Sequence, residues 1–306
     1  MKINRILFSF LVSITLAACC NATSNYSRQE DVIYARKDGM ALTMDVFSPT
    51  QNSNGIGIIH VVSGGWYSSH AAISPEYCQP FVDRGYTVFA VCHGSQPMYT
   101  IPDAIADMQK SVRFIRSNAE KFKIDPDKIG VTGGSAGGHL SLMLGVLDST
   151  PEPNSPDALM HYSAKVQAVA CFFPPTDFLN YGKQGEIALG NGILKNFPAP
   201  FDFRELSGKI WRYRLITEEA RRLEIGKQIS PIYHATKDDA PTLIIHGDAD
   251  NLVPIQQSQS MIQALNKINV EAHLVTKPGA GHGWQDIKGD LSVLADFFDK
   301  HLKNEK

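Results

Sequence analysis

"KIGVTGGSAGGHLSLML", Lys128 to Leu144, joins an apolar strand-like run (Ile129, Val131) to an apolar helical pattern, with four glycines and a serine packed into residues 133–138. A chain that turns from strand to helix this abruptly needs residues without Cβ atoms where its backbone folds back on itself. Gly133-Gly134-Ser135-Ala136-Gly137 satisfies G-x-S-x-G in that strand-to-helix setting, which holds a serine strained and exposed as a nucleophile. The helix presents its amino end at the same place, where its dipole favours developing negative charge. Other glycine loops do not fit. A dinucleotide fingerprint starting at Gly133 needs glycine where Ser135 stands, and no G-K-[ST] follows for a phosphate loop.

On either side the chain alternates. "DVIYA" (31–35) and "LTMDVFSP" (42–49) come first. "GIGIIHVV" (55–62), "YTVFAVC" (86–92), "KIGVTG" (128–133), "VQAVACFFP" (166–174), "PTLIIHGD" (241–248) and "EAHLVTKP" (271–278) follow. The later runs are short and continuously apolar, as strands buried on both faces of a parallel sheet are. Between them lie amphipathic helical segments, such as 105–122, where Ile105, Met108, Val112, Ile115 and Ala119 share a face. This order predicts a mostly parallel, doubly wound α/β sheet with an antiparallel start. Residues 176–239 break the rhythm, with no strong strand signal, several prolines and aromatic residues, and one helix over Thr217–Lys227. They are expected to form an insertion over the carboxyl edge of the sheet, where ligands bind in such folds.

At 306 residues and 43% hydrophobic content the chain is long and apolar enough for one domain of roughly 250–280 residues. A net charge of −2 gives no sequence-independent attraction to nucleic acid, so no nucleic-acid partner is expected. The start, "MKINRILFSFLVSITLAACC", has basic residues, an apolar stretch from Ile6 to Leu16 and two alanines, the form of an export signal over residues 1–18. Leu16-Ala17-Ala18-Cys19 resembles the lipobox of bacterial lipoproteins. That resemblance implies cleavage before Cys19, its acylation, and contact with a membrane only through this anchor. Ordinary cleavage near Ala18 or Ala22 is the alternative. Residues 19–30 then read as a polar tether to a domain over 31–306. Cys78, Cys92 and Cys171 show no metal-type spacing, and no metal site is expected. A Cys78–Cys92 bridge stays open, and Cys171 reads as a buried apolar residue.

A serine nucleophile needs a base, and the base needs an orienting carboxylate. Two loops follow late strands. "HGDADNLVP" offers Asp250, with Asp248 as the competing acid, and "KPGAGHGWQD" offers His282 between glycines. Asp250 is preferred because Asp248, directly after His246-Gly247, is placed to brace its own loop. Oxyanion donors are expected from the backbone of Gly65 and Ala136, helped by Gly64, since Ser63-Gly64-Gly65-Trp66 follows the strand ending at Val62. Trp66 and Trp284 flank the site as pocket walls or core residues, and His93 and Gln96 are candidates for the pocket lining. His139 and His246 read as packing or loop support, and Asp177 either caps a turn or faces the pocket.

Through "GGSAGGHL", "HGDADNLVP", "GAGHGW" and more loosely "SGGW", the chain resembles the α/β-hydrolase superfamily over most of 31–302. The likeness is to its hormone-sensitive-lipase-like and bacterial feruloyl esterase-like (BD-FAE) esterases. That group usually carries His-Gly-Gly-Gly-Trp where Val62-Ser63-Gly64-Gly65-Trp66 stands here, and a Tyr-Arg-Leu run where "VCHGSQPMYTIPDAIAD" stands. Asp107 occupies a position where the group often has an aspartate, here read as an ion-pair partner. The resemblance implies an α/β-hydrolase fold and a cofactor-free serine hydrolase cleaving carboxylic esters. Ser135, His282 and Asp250 match its triad. A small-molecule or polysaccharide ester is the expected substrate, with acetyl or feruloyl-type groups removed. A peptidase or amidase of the same fold and a non-catalytic surface binding protein are the alternatives.

Overall fold

The computed structural model describes residues 25–208 and 212–303. The expected signal segment 1–18, the expected lipidation site Cys19 and the aromatic Trp211 lie outside the described residues.

Among the described residues, ten strands and seven α-helices follow one another. They are β1 (Tyr26–Lys37), β2 (Met40–Pro49), β3 (Gly57–Val62), α1 (Pro75–Val82), β4 (Thr87–Cys92), α2 (Ile101–Ser117), α3 (Ala119–Phe122), β5 (Ile129–Thr132), α4 (Ala136–Val146), β6 (Ala168–Phe172), β7 (Arg204–Ser207), β8 (Arg212–Leu215), α5 (Glu219–Gln228), β9 (Thr242–Gly247), α6 (Gln256–Lys267), β10 (Ala272–Lys277) and α7 (Ile287–Leu302). Eight strands form one sheet in the order β1-β2-β4-β3-β5-β6-β9-β10. β1 and β2 are antiparallel, β2 meets β4 antiparallel, and every later pairing is parallel. This is the doubly wound sheet with an antiparallel start that the apolar runs predict.

Every residue of β3, β4, β5, β6 and β9 is buried, which explains their unbroken apolar sequences. Alternate side chains feed two cores. Ile58, Val88, Phe172 and Phe298 pack with α1 and α7 on one face. Ile59, Val61, Met108, Leu140 and Met261 pack with α2, α4 and α6 on the other. Strand order reverses at β3, because β4 lies on one side of it and β5 on the other. The loops leaving β3 and β5 therefore diverge to helices on opposite faces and open a crevice at the carboxyl edge, where such sheets bind ligands.

Two expectations need correction. Residues 26–30, read as tether, belong to β1. Tyr26–Gln29 pair with Val46–Pro49, and Arg28 Nε donates to the buried carboxylate of Asp45 at 2.7 Å. The stretch was hidden because its outer residues are mostly exposed and show no apolar alternation. The second lies within 176–239, where β7 and β8 form a two-stranded hairpin. All but one of its residues are exposed and the other is half-buried, so it carries no buried face for a period-two pattern to mark. The helix expected over Thr217–Lys227 is α5. Cys78, Cys92 and Cys171 are buried free thiols, which settles the open bridge against pairing.

Of the four histidines buried among the described residues, three have pKa values pushed down by burial, to about 3 for His60 and about 4 for His93 and His139. Unfolded, each titrates near 6.5. Between that pH and about 4 the unfolded chain binds protons the native chain does not, so stability is complete above pH 6.5 and is lost as pH falls. Equilibrium urea unfolding at pH 7, 6 and 5 is expected to show falling stability, with each histidine contributing a slope approaching ~1.4 kcal/mol per pH unit. His139→Gln is expected to flatten the profile by about that amount, and an unchanged slope would count against its neutral burial.

Candidate active site

Ser135 sits between β5 and α4 with φ 54° and ψ −119°, a conformation that non-glycine residues rarely adopt. Three contacts hold it there. Its N–H donates to Phe172 O at 3.0 Å. A Cβ on Gly133 would meet the Gly137 backbone at 2.6 Å, and one on Gly137 would meet Val61 O at 2.7 Å. The G-x-S-x-G glycines are thus demanded by backbone approaching backbone, and the half-buried hydroxyl faces the crevice.

The loops after β9 and β10 bring the other two groups. His282 Nδ1 lies 2.7 Å from Asp250 Oδ2 and Nε2 lies 2.9 Å from Ser135 Oγ. The carboxylate can only accept, so Nδ1 carries the proton and Nε2 is free to accept from the serine hydroxyl. Asp250 also accepts from the N–H groups of Leu252 and Val253 and from His246 Nε2. Burial alone raises its pKa, but the hydrogen bonds from His246, His282 and Val253 outweigh that and hold the carboxyl well below its ordinary range. Asp248 is exposed and accepts from Gly279 N, bracing the two loops against each other. The structure therefore brings Asp250, and not Asp248, to His282. Phe173 covers the imidazole, with ring centroids 4.5 Å apart.

Of the three expected oxyanion donors, two fit. The N–H groups of Gly65 and Ala136 have no acceptor among the described residues, and Gly65 lines the crevice with φ +55°. Gly64 does not fit, because its N–H already donates to Tyr67 O in a tight turn.

The flanking residues divide between the cleft and the core. Trp66 borders the cleft but is only 3% exposed. Its ring packs on Phe178 and Phe201, and Nε1 donates to His139 Nδ1 at 3.2 Å. His139 Nε2 in turn donates to Ile229 O, so this histidine ties the loop after β3 to the end of α5. Trp284 is not among the residues around the cleft. Its Nε1 donates to Asp290 and its ring lies against Phe172 and Phe173. His93 does not line the cleft either, and its position explains the departure at Ser63. With Nδ1 donating to Gly94 O, Nε2 accepts from Ser63 Oγ at 2.9 Å. Gln96 N donates to Trp66 O and Ser68 N to Ser95 Oγ. The two stretches that depart from the familiar pattern, Ser63–Trp66 and His93–Gln96, are thus bonded to each other. Asp107 accepts from Lys37 Nζ at 3.1 Å and from Gly94 N, the ion-pair role expected of it. Asp177 caps the turn at Leu179 and Asn180.

The cleft at Ser135 has a volume of about 540 Å³, a size suited to a small organic group. Tyr181, Leu194 and Phe197 from the 176–239 segment form one wall. His60, Ser74 and Tyr77, beside β3 and α1, form another. None of these could be assigned to the cleft individually from sequence, since only the folded chain brings them to one place.

Several known proteins similar to this chain are esterases. Esterase LipC of Mycobacterium tuberculosis is 26% identical over 239 residues, covering 76% of this chain and 54% of that protein. The probable carboxylic ester hydrolase LipM of the same organism is 24% identical, covering 80% and 53%. The chain thus spans about half the length of these relatives. Among solved structures, a truncated carbohydrate esterase from gut microbiota superposes with a TM-score of 0.72 at 28% identity, covering 92% of this chain and 99% of that one. Thermogutta terrifontis esterase 2 phosphorylated by paraoxon shares the fold, with a TM-score of 0.68 at 22% identity over 92% and 97%. The sheet is that of the α/β-hydrolase esterases, and the BD-FAE family model matches residues 44–265, more than half of the chain, so this chain belongs to the BD-FAE family.

Proposed function

We propose that this chain is a serine hydrolase that cleaves carboxylic esters through an acyl-enzyme. The observation carrying this reading is the continuous line Ser135 Oγ, His282, Asp250, with two unengaged backbone N–H groups beside it. Ser135 Oγ attacks the ester carbonyl carbon while His282 Nε2 takes its proton, and Asp250 stabilises the imidazolium. Negative charge gathers on the carbonyl oxygen, where the N–H groups of Gly65 and Ala136 serve as donors. His282 then protonates the departing alcohol. Water, activated by the same nitrogen, attacks the acyl group and frees the acid and Ser135. No step calls for a cofactor.

For the substrate we favour acyl groups carried on carbohydrate, acetyl or feruloyl-type. Support comes from the gut carbohydrate esterase, which this chain matches over nearly all of that protein's length. For location we favour export with a lipid on Cys19. Residues 20–25 would then separate the anchor from β1, roughly 20 Å when extended, and would keep the domain close to the membrane surface.

Hydrolysis of p-nitrophenyl acetate and butyrate tests the reaction. The parent is expected to turn over, and Ser135→Ala and Asp250→Asn each to fall by about 10⁴-fold while remaining folded. Equal rates in parent and Ser135→Ala would reject the mechanism. Ser63→Ala removes the hydroxyl that bonds His93, and is expected to lower kcat by about 10-fold with little change in KM, since the loop carrying Gly65 loses a restraint felt mainly in the transition state. A matching fall in the thermal midpoint alone, with kcat kept, would assign Ser63 to stability only. Cys19→Ala is expected to move the protein from the membrane to the soluble fraction and to abolish incorporation of radiolabelled palmitate, and labelling that persists would exclude Cys19 as the anchor.

A further inference from the structure

His60 differs from the other buried histidines. His93 bonds through both ring nitrogens, to Gly94 O and Ser63 Oγ. His139 does so to Trp66 Nε1 and Ile229 O, and His246 to Ser258 on one side and Asp250 and Val253 on the other. His60 is 7% exposed; Nδ1 is buried with no partner, while Nε2, which also has none among the described residues, is the ring nitrogen that keeps accessible surface. An accessible but unpartnered nitrogen on an otherwise buried ring is a place for a ligand group to bond.

The ring is also fixed in place. It stacks on Tyr77 with centroids 3.9 Å apart and planes 11° apart. The Tyr77 hydroxyl bonds Thr132 Oγ1 at 3.0 Å, and Thr132 is the residue of β5 in register with His60. The imidazole has thus been immobilised without a hydrogen-bonding partner of its own.

The cleft of Ser135 supplies the place for one. His60 contributes to its lining together with Ser74 and Tyr77. Its side chain is on the sheet face of Ile58 and Val62, whereas Tyr181, Leu194 and Phe197 approach from the opposite core. The cleft therefore wraps around the carboxyl edge of the sheet, with an apolar arm under the 176–239 segment and a second arm against α1. Thr132 is three residues before Ser135, so His60 lies within about 15 Å of the nucleophile, allowing one strand spacing and about 3.6 Å per residue.

We infer that His60 is a specificity-determining residue, whose Nε2 hydrogen-bonds a hydroxyl group of the substrate moiety that enters the α1 arm. The inference rests on the ester-hydrolase reading above and adds to it the feature that selects the substrate. Nε2 of a neutral imidazole donates or accepts according to the tautomer, a hydroxyl can answer either, and the ring brings no net charge with which to hold an ion. Its burial keeps it neutral. The hydroxyl belongs either to the acyl group or to the alcohol, depending on which half of the ester takes this arm.

Two matched pairs of esters separate those sources. p-Nitrophenyl 3-hydroxybutyrate against p-nitrophenyl butyrate reports the acyl side, and glycerol monoacetate against propyl acetate, followed by pH-stat, reports the alcohol side. In the parent, the hydroxylated member of one pair is expected to have the higher kcat/KM. His60→Phe is expected to cut that preference about 10-fold, the worth of one hydrogen bond, and to leave the ratio of the other pair unchanged. The same substitution should hold or raise the urea midpoint, since it replaces an unsatisfied polar ring by an apolar one. His60→Leu serves should the phenylalanine variant not fold. Unaltered ratios in both pairs, in a parent that hydrolyses them, would overturn the inference while sparing the esterase reading. Should the folded parent hydrolyse none of the four, the esterase reading falls. Calorimetric binding of 3-hydroxybutyrate and butyrate, and of glycerol and propanol, to the parent and to His60→Phe then decides the role of His60. A preference for a hydroxylated member that is lost with His60 supports it, and equal binding rejects it.

Discussion

The site depends on one strained residue. Ser135 at φ 54° occupies backbone space that costs roughly 1–3 kcal/mol for a residue with a Cβ. Its surroundings leave it no alternative. Phe172 O takes its N–H, and α4 starts so close to β3 that only glycine fits at 137 beneath Val61 O. Relaxing Ser135 would break that contact between α4 and the sheet. The whole packed layer therefore holds the strain, and the hydroxyl stays at a fixed point relative to the carboxyl ends of β3, β9 and β10.

From that point outward the site is organised by histidines whose protons are assigned by their neighbours. His282, His246, His139 and His93 each have one nitrogen facing a group that can only accept, a carboxylate or a carbonyl, so the other is left as acceptor. For His282 this leaves Nε2 available to the serine. In the other three the same logic ties loops together: His246 binds the acid loop to α6, His139 the oxyanion loop to the 176–239 segment, and His93 the same loop to the one after β4. The chemistry and its scaffolding thus use one device.

How far this was legible from sequence follows from the range of each interaction. Ser135, Asp250 and His282 stand in glycine-rich loops at the ends of apolar runs, so strand ends could be read locally, and strand ends of a parallel sheet meet at one edge. The mostly parallel sheet and its antiparallel start were legible in the same runs, whereas the order of the strands was not. The exposed strands β7 and β8 were not, because they bury no face, and the outer half of β1 is paired but carries no apolar alternation. Gly64 and Gly65 are indistinguishable as letters, and only the turn that commits the N–H of Gly64 to Tyr67 O separates their roles. Trp284 looked like a wall of the site because it is two residues from His282, yet its indole N–H is drawn to Asp290 on α7. Adjacency in sequence does not predict which way a large side chain turns.

Ser63 shows how an apparent defect becomes intelligible only in three dimensions. Taken alone, serine in place of a histidine before two glycines looks like a weakened oxyanion loop. In the folded chain its hydroxyl reaches His93, thirty residues on, in the other stretch that departs from the usual pattern. A serine is too short to brace this loop against its neighbour by itself, whereas a histidine supplied from the end of β4 reaches it and is held by Gly94 O. Asp107 then secures the donor side, since it accepts from Gly94 N while paired with Lys37 of β1. The restraint on Gly65 therefore runs from the antiparallel edge of the sheet to its centre. The β1–β2 hairpin, remote from the nucleophile, belongs to the mechanical support of the site.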